Sequence, residues 1–178
     1  MMRDSAHAAL ADLCAGFVDL NDLPPGEVVD ASRVPEPFDL LLVHNDHMTT
    51  RLGEFHGAPV ELHVLRHVIE GDTYRRLITL HPRGRERVVE VGLVRIDLAC
   101  TNPGLRAMIL DEKRPLGDIL MSQNVMRRIE PQWFLKFGGS GLLAEQFDGA
   151  STPFYGRLGV IYFEERPAIR LLEVVCGA

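Results

Sequence analysis

The chain has few cysteines, a shortage of positive charge and no long apolar run, and each scarcity narrows what it can be. Cys14, Cys100 and Cys176 are its only cysteines in 178 residues, odd in number and far apart. They exclude a disulfide framework and a cysteine-based metal site, and they suit free thiols in a reducing cytoplasm. Lys and Arg number 19 against 25 Asp and Glu, for a net charge of −6. The basic residues are scattered, so pairs such as Arg75-Arg76 and Arg127-Arg128 read as solvated edges and no nucleic-acid partner is expected. No apolar stretch approaches bilayer-spanning length, and the first residues pass directly into an amphipathic segment without a secretory leader. The expectation is a cytoplasmic protein with no membrane partner.

What is present suffices for one core. Hydrophobic residues make up 46% of the chain, which supports a single domain over residues 1–178 and is short for two. Ser5 is placed to cap a first helix with apolar positions at Leu10, Leu13, Cys14 and Phe17, and the Pro-rich stretch from Asn21 to Gly26 stops it. Residues 1–37 thus read as a helical and proline-rich extension packed on the rest. Residues 38–43 read as a short buried helix. Alternation then predicts strands over 59–69 and 73–80, joined by a hairpin turn at Gly71-Asp72, and a third over 87–98. Asn102-Pro103 opens a helix to Glu112 and Pro115 opens another to Gln123. The joint between them, 113–117, is either a movable lid or an ordinary corner, and pattern alone favours the corner. A strand over 129–137, a helix over 141–147 and a hairpin of 152–163 with 168–176 complete an α+β fold with a six-stranded, mainly antiparallel sheet.

Two charged residues fall on the wrong faces of their strands. Period-two alternation lines Arg76 up with Tyr74, Ile78 and Leu80, and lines Glu173 up with Ile169, Leu171 and Val175. A buried guanidinium and a buried carboxylate are costly unless they are paired or face a ligand. The pattern leaves two readings equally open: an enclosed site for a small carboxylate-bearing molecule, or a structural ion pair.

Other constellations carry less. His44-Asn45-Asp46-His47 has histidines three apart but no third ligand spaced to complete a metal set, so a surface or loop role is expected and no metal. His63 and His67 are predicted to share a solvent-side strand face with Glu61. Gly138-Gly139-Ser140-Gly141 lacks the lysine of a P-loop and the full dinucleotide fingerprint, and reads as a flexible turn. No serine elbow or cysteine nucleophile stands in a recognisable setting.

The succession His47-Met48-Thr49, Tyr74-x-Arg76-x-Ile78, Pro115-Leu116-Gly117, Tyr155-Gly156-Arg157 and Leu171-Leu172-Glu173 resembles that of the chorismate pyruvate-lyase (hydroxybenzoate synthase) family, over roughly residues 40–175. The resemblance implies a chorismate lyase-like fold, with helices on one side of the sheet and a site enclosed beneath two flaps. It also implies a cofactor-free lyase that splits chorismate into a hydroxybenzoate and pyruvate. Arg76 would bind the ring carboxylate, helped by backbone amides at Met48, with its neighbour Thr49, and at Leu116. Glu173 would face the oxygen from which the enolpyruvyl group leaves. Burial favours its neutral form and a nearby guanidinium its ion; if burial prevails, Glu173 can donate a proton to that oxygen. The chain departs from the family at Asp118, where many relatives carry arginine, at Leu77, where a glutamate is common, and at Leu93, which occupies the place of a second-site arginine. Arg95, two residues on, and Arg157 are candidates for a second substrate carboxylate, and either is equally readable as structural. The same fold serves as the effector-binding half of certain transcription regulators, so a non-catalytic binder of an aromatic or cyclic carboxylic acid is the alternative.

Overall fold

The alternating segments pair into a single antiparallel sheet because each leaves one apolar face to bury. The computed structural model describes residues 2–123, 125–150 and 152–177; residues 1, 124, 151 and 178 of the expected domain lie outside these. The strands are β1 (Gly26–Val29), β2 (Val60–Glu70), β3 (Thr73–Pro82), β4 (Glu90–Asp97), β5 (Arg127–Phe137), β6 (Phe154–Phe163) and β7 (Arg166–Val175), in the spatial order β1-β5-β6-β7-β4-β3-β2. Helices are α1 (Met2–Cys14), α2 (Phe38–Leu42), α3 (Met48–His56), α4 (Pro103–Leu110), α5 (Leu116–Ser122) and α6 (Gly141–Gln146). None of the described helices is long and apolar enough to cross a membrane.

The fold is α+β, with seven strands where the sequence predicts six. The additional strand, β1, is four residues long and follows two prolines, too short to show a period. It is a strand because β5 supplies its ladder, with Gly26 opposite Phe137 and Val29 opposite Phe134. α1 begins at Met2, so Ser5 lies inside the first turn instead of capping it. Asn102 does cap α4: its Oδ1 accepts from the Leu105 amide at 2.8 Å, with Pro103 in the first turn, where no amide hydrogen is required.

Helices cover both faces of the sheet, not one. Leu10 and Leu13 of α1 and Leu143 of α6 pack with Leu77, Leu93, Leu158 and Leu172 on one face. Those leucines alternate with the residues of the opposite face, so both faces are apolar and both need a cover. α2 to α5 lie on that opposite face: α2 and α3 cluster with Ile78, Leu80 and Val175, and α4 and α5 with Tyr74, Val94, Ile96 and Leu171.

One irregularity changes which side chains meet. Between Val64 and Arg66 the β2–β3 register slips by a bulge at Leu65, so His63 opposes Thr79 while His67 opposes Arg76. The extra residue reverses the facing of everything after it. His63 stacks on His81, ring centroids 4.2 Å apart, whereas His67 turns to the other face and contacts Glu112 at 2.8 Å. The shared face expected for the two histidines is therefore broken.

Candidate functional site

Four strands deliver four buried ionisable side chains to the face beneath α3 and α5. Arg76 of β3, Glu90 of β4, Arg157 of β6 and Glu173 of β7 are 1%, 3%, 2% and 9% exposed. The register explains the grouping: Glu173 stands opposite Arg157 on one side and Gly92 on the other, Arg76 opposite Val94, and Glu90 opposite Leu80. From strand spacing and rise, the Arg76 backbone lies about 12 Å from that of Glu173 and about 14 Å from that of Glu90.

Between them is a cavity of about 540 Å³ counted to its mouth, walled by Leu62, Ile78, Val94, Ile161 and Leu171 and roofed by His47-Met48-Thr49 and Pro115-Leu116-Gly117. The roof is two helix N-termini. Thr50 N is bonded to His47 O at 3.1 Å and Ile119 N to Pro115 O at 3.2 Å, and amides ahead of these donors have no carbonyl within their own helix. The helices meet closely, since a Cβ on Gly117 would collide with Thr49 Oγ1.

The two guanidiniums differ sharply. Arg157 is fully occupied: Nε donates to Glu173 Oε2 at 2.6 Å, Nη1 to His44 O at 2.9 Å and Nη2 to Asp46 O at 3.3 Å. It ties the loop ahead of α3 to the sheet. Arg76 has Nε and Nη1 buried without any hydrogen-bond partner. Burial pulls its pKa below the ordinary arginine value, while Tyr74 and Glu112 beside it hold it up. Tyr74 Oη donates to Glu112 Oε1 at 2.5 Å, and that same oxygen meets His67 Nδ1 at 2.8 Å. A polar chain thus runs from the surface to the guanidinium, yet leaves two of its three nitrogens without a partner. Unsatisfied buried donors of a charged group are expensive, and a guanidinium with donors to spare is a candidate anchor for an anion.

The other ionisable groups divide by burial and partner. His47 Nε2 accepts from Arg127 Nε at 2.9 Å, and burial followed by the Arg127 charge pulls its pKa down to about 4. His44 is also drawn down to about 4, by burial and then by Arg157. Both are neutral at pH 7 and both lie in the loop ahead of α3, one of the two roles expected from sequence, packed there against arginines. Glu90 is the opposite case. Its Oε2 is buried without a partner, and burial, reinforced by the neighbouring Glu173, pushes its pKa well above the ordinary carboxylate value.

The sequence matches no family model and no curated protein. Among solved structures, the crystal structure of PhnF from Mycobacterium smegmatis is similar at a TM-score of 0.49 and 15% identity, over 76% of this chain and 65% of that one. The chain therefore spans about two thirds of the length of that protein.

Of the residues singled out from sequence, Met48, Thr49, Arg76, Leu116, Arg157 and Glu173 all line the cavity. Arg95 does not. It shares the face of Leu93, under α1, and its Nη1 binds Asp12 Oδ2 at 3.0 Å, so it is on the wrong side of the sheet to meet a ligand carboxylate in the cavity. Two ionisable lining residues, His47 and Glu90, were not singled out as site residues. Glu90 was within reach of the alternation argument, because period two aligns it with Gly92, Val94 and Ile96.

Proposed function

We propose that the cavity receives a small cyclic carboxylic acid, its carboxylate on Arg76, and that the reaction performed there is elimination of pyruvate from chorismate to leave a hydroxybenzoate. The observation that carries this reading is the Arg76 guanidinium, buried and with two nitrogens unpartnered, at one end of a largely apolar cavity that has carboxyl groups at the other. A carboxylate accepting from this guanidinium would relieve part of the cost of that burial and fix the ring against the sheet. The amides at the start of α3 and α5 add donors on the roof side. The reaction demands little of the protein, because loss of the enolpyruvyl group and a ring proton makes the ring aromatic; orientation and exclusion of water supply the catalysis. Glu173 enters as the partner of Arg157 at 2.6 Å. An ion-paired carboxylate suits a proton acceptor, so the role proposed for it is to take the ring proton, in place of the donor role expected from sequence.

A second reading is favoured by one specific observation. Arg157 is bound to Glu173 and to backbone carbonyls, and Arg95 faces away, so the cavity offers one free guanidinium. That suits a monocarboxylate held without turnover.

Incubation of the purified chain with chorismate separates the two. Equimolar pyruvate and hydroxybenzoate, lost in Arg76→Met and slowed at least tenfold in Glu173→Gln, is the expected result. Binding of benzoate with no turnover of chorismate selects the second reading, and binding of neither acid removes both.

A further inference from the structure

Glu90 is a buried carboxyl for which the fold supplies no counter-charge. The nearest cation, Arg157, is directed to Glu173 at 2.6 Å, and Glu90 forms no ion pair among the described residues. Its cross-strand neighbours, Leu80 and Val175, are apolar. A leucine or valine would pack there at no electrostatic cost, so the acid has no structural return. With Glu173 beside it, a second carboxylate in this enclosure is unfavourable, and burial and that neighbour both favour the protonated acid. A protonated carboxyl carries one O–H that needs an acceptor. Glu90 Oε2 has no partner in the protein, and Glu90 lines the cavity at the end away from Arg76.

Gly92 makes this placement physical. It stands opposite Glu173, and a Cβ there would come within 2.8 Å of Ile78 Cδ1 and 3.2 Å of Glu90 Oε1. A side chain here would crowd both Ile78 and the Glu90 carboxyl, so the glycine leaves that carboxyl room on the cavity face of β4.

We propose that Glu90 is the hydrogen-bond donor that meets an ether or hydroxyl oxygen on the ligand ring, so that the site selects ring monocarboxylates bearing such an oxygen over the bare acid. This rests on the cavity reading given above. For chorismate the same contact falls on the enolpyruvyl ether. There the C–O bond breaks with its electron pair going to oxygen, Glu90 gives that oxygen a proton, and Glu173 takes the proton lost from the ring. Transfer of that proton from Glu173 to Glu90 restores the starting state.

Calorimetric titration of the parent chain, Glu90→Gln and Glu90→Leu with benzoate, 3-methoxybenzoate and 4-methoxybenzoate tests the assignment. A methoxy oxygen can only accept, so the parent should prefer at least one methoxybenzoate over benzoate by about fivefold, the worth of one net hydrogen bond. Glu90→Gln, which keeps an N–H donor, should retain the preference, and Glu90→Leu should erase it. An equal preference in Glu90→Leu, or none in the parent, overturns the role of Glu90 while leaving the cavity reading intact; failure of the parent to bind any of the three acids overturns the cavity reading itself. An infrared difference spectrum between the parent and Glu90→Gln at pH 7 gives a readout independent of ligand. The carbonyl band of a protonated carboxylic acid should vanish in the variant, and its absence from the parent overturns the proposal.

Discussion

Arg76 exposes a conflict between stability and binding within one side chain. The residue is 1% exposed with two guanidinium nitrogens unsatisfied, a cost to folding that an anion in the cavity would relieve. Replacing it with an apolar side chain of similar length removes that cost. Arg76→Met is therefore expected to unfold at an equal or higher denaturant midpoint, with a gain on the order of 1 kcal/mol, while losing all affinity for benzoate; a loss of several kcal/mol would mean that the guanidinium is structural. Arg157 should behave oppositely, since its removal strands Glu173. The position of Arg76 was legible because period two aligns it with Tyr74, Ile78 and Leu80, and Glu173 was legible for the same reason. What alternation could not show was pairing. The sequence puts the two charges on core-facing positions, but the identity of the cation beside Glu173 depends on the register of the β6–β7 hairpin, which sets Arg157 opposite Glu173 and which the alternation within one strand does not fix.

At the scale of elements, the joint between α3 and α5 closes the site. Gly117 is buried at the start of α5 and leaves no room for a Cβ against Thr49, which is itself buried and branched. Gly117→Ala should force the two N-termini apart, destabilising the fold by about 1–3 kcal/mol and weakening ligand affinity. Thr49→Ala in the same chain should recover a large part of the stability, and a double-mutant cycle by denaturation with zero coupling would refute the contact. Most elements were readable from period and caps: α4 from Asn102-Pro103, α5 from Pro115, and the β2–β3 and β6–β7 hairpins from their turns. The failures share a cause. β1 is too short for a period and is made a strand by β5, and the bulge at Leu65 inserts one residue into an otherwise regular run, which sends His67 to the face of Arg76. Both are properties of the partner strand.

For the molecule as a whole, the loop carrying His44 and His47 sets the response to acid. Both imidazoles are drawn down to about 4 in the folded chain, against an ordinary value near 6.5 when unfolded. As pH falls below 6.5 the unfolded chain takes up two protons that the folded chain refuses until about 4, so stability is complete above this window and is lost as pH drops through it. Glu90 acts with the other sign. Its folded form keeps a proton that the unfolded chain releases above the ordinary carboxylate value, so it weakens the fold as pH rises. Urea midpoints at several values between pH 4 and pH 8 should therefore fall toward acid in Glu90→Gln more purely than in the parent, and Glu90→Gln should be the more stable of the two at pH 7. A parent more stable than the variant at pH 7 would contradict a protonated Glu90.

The two borders of the sheet carry a further consequence. One is β1, only four residues long, and the other is β2, kinked at Leu65 and studded with Glu61, His63, Arg66, His67 and Glu70. Brevity on one side and charge with a kink on the other are poor templates for docking a foreign strand. Strand addition is thereby disfavoured along β2 and at β1, which itself covers residues 134–137 of β5.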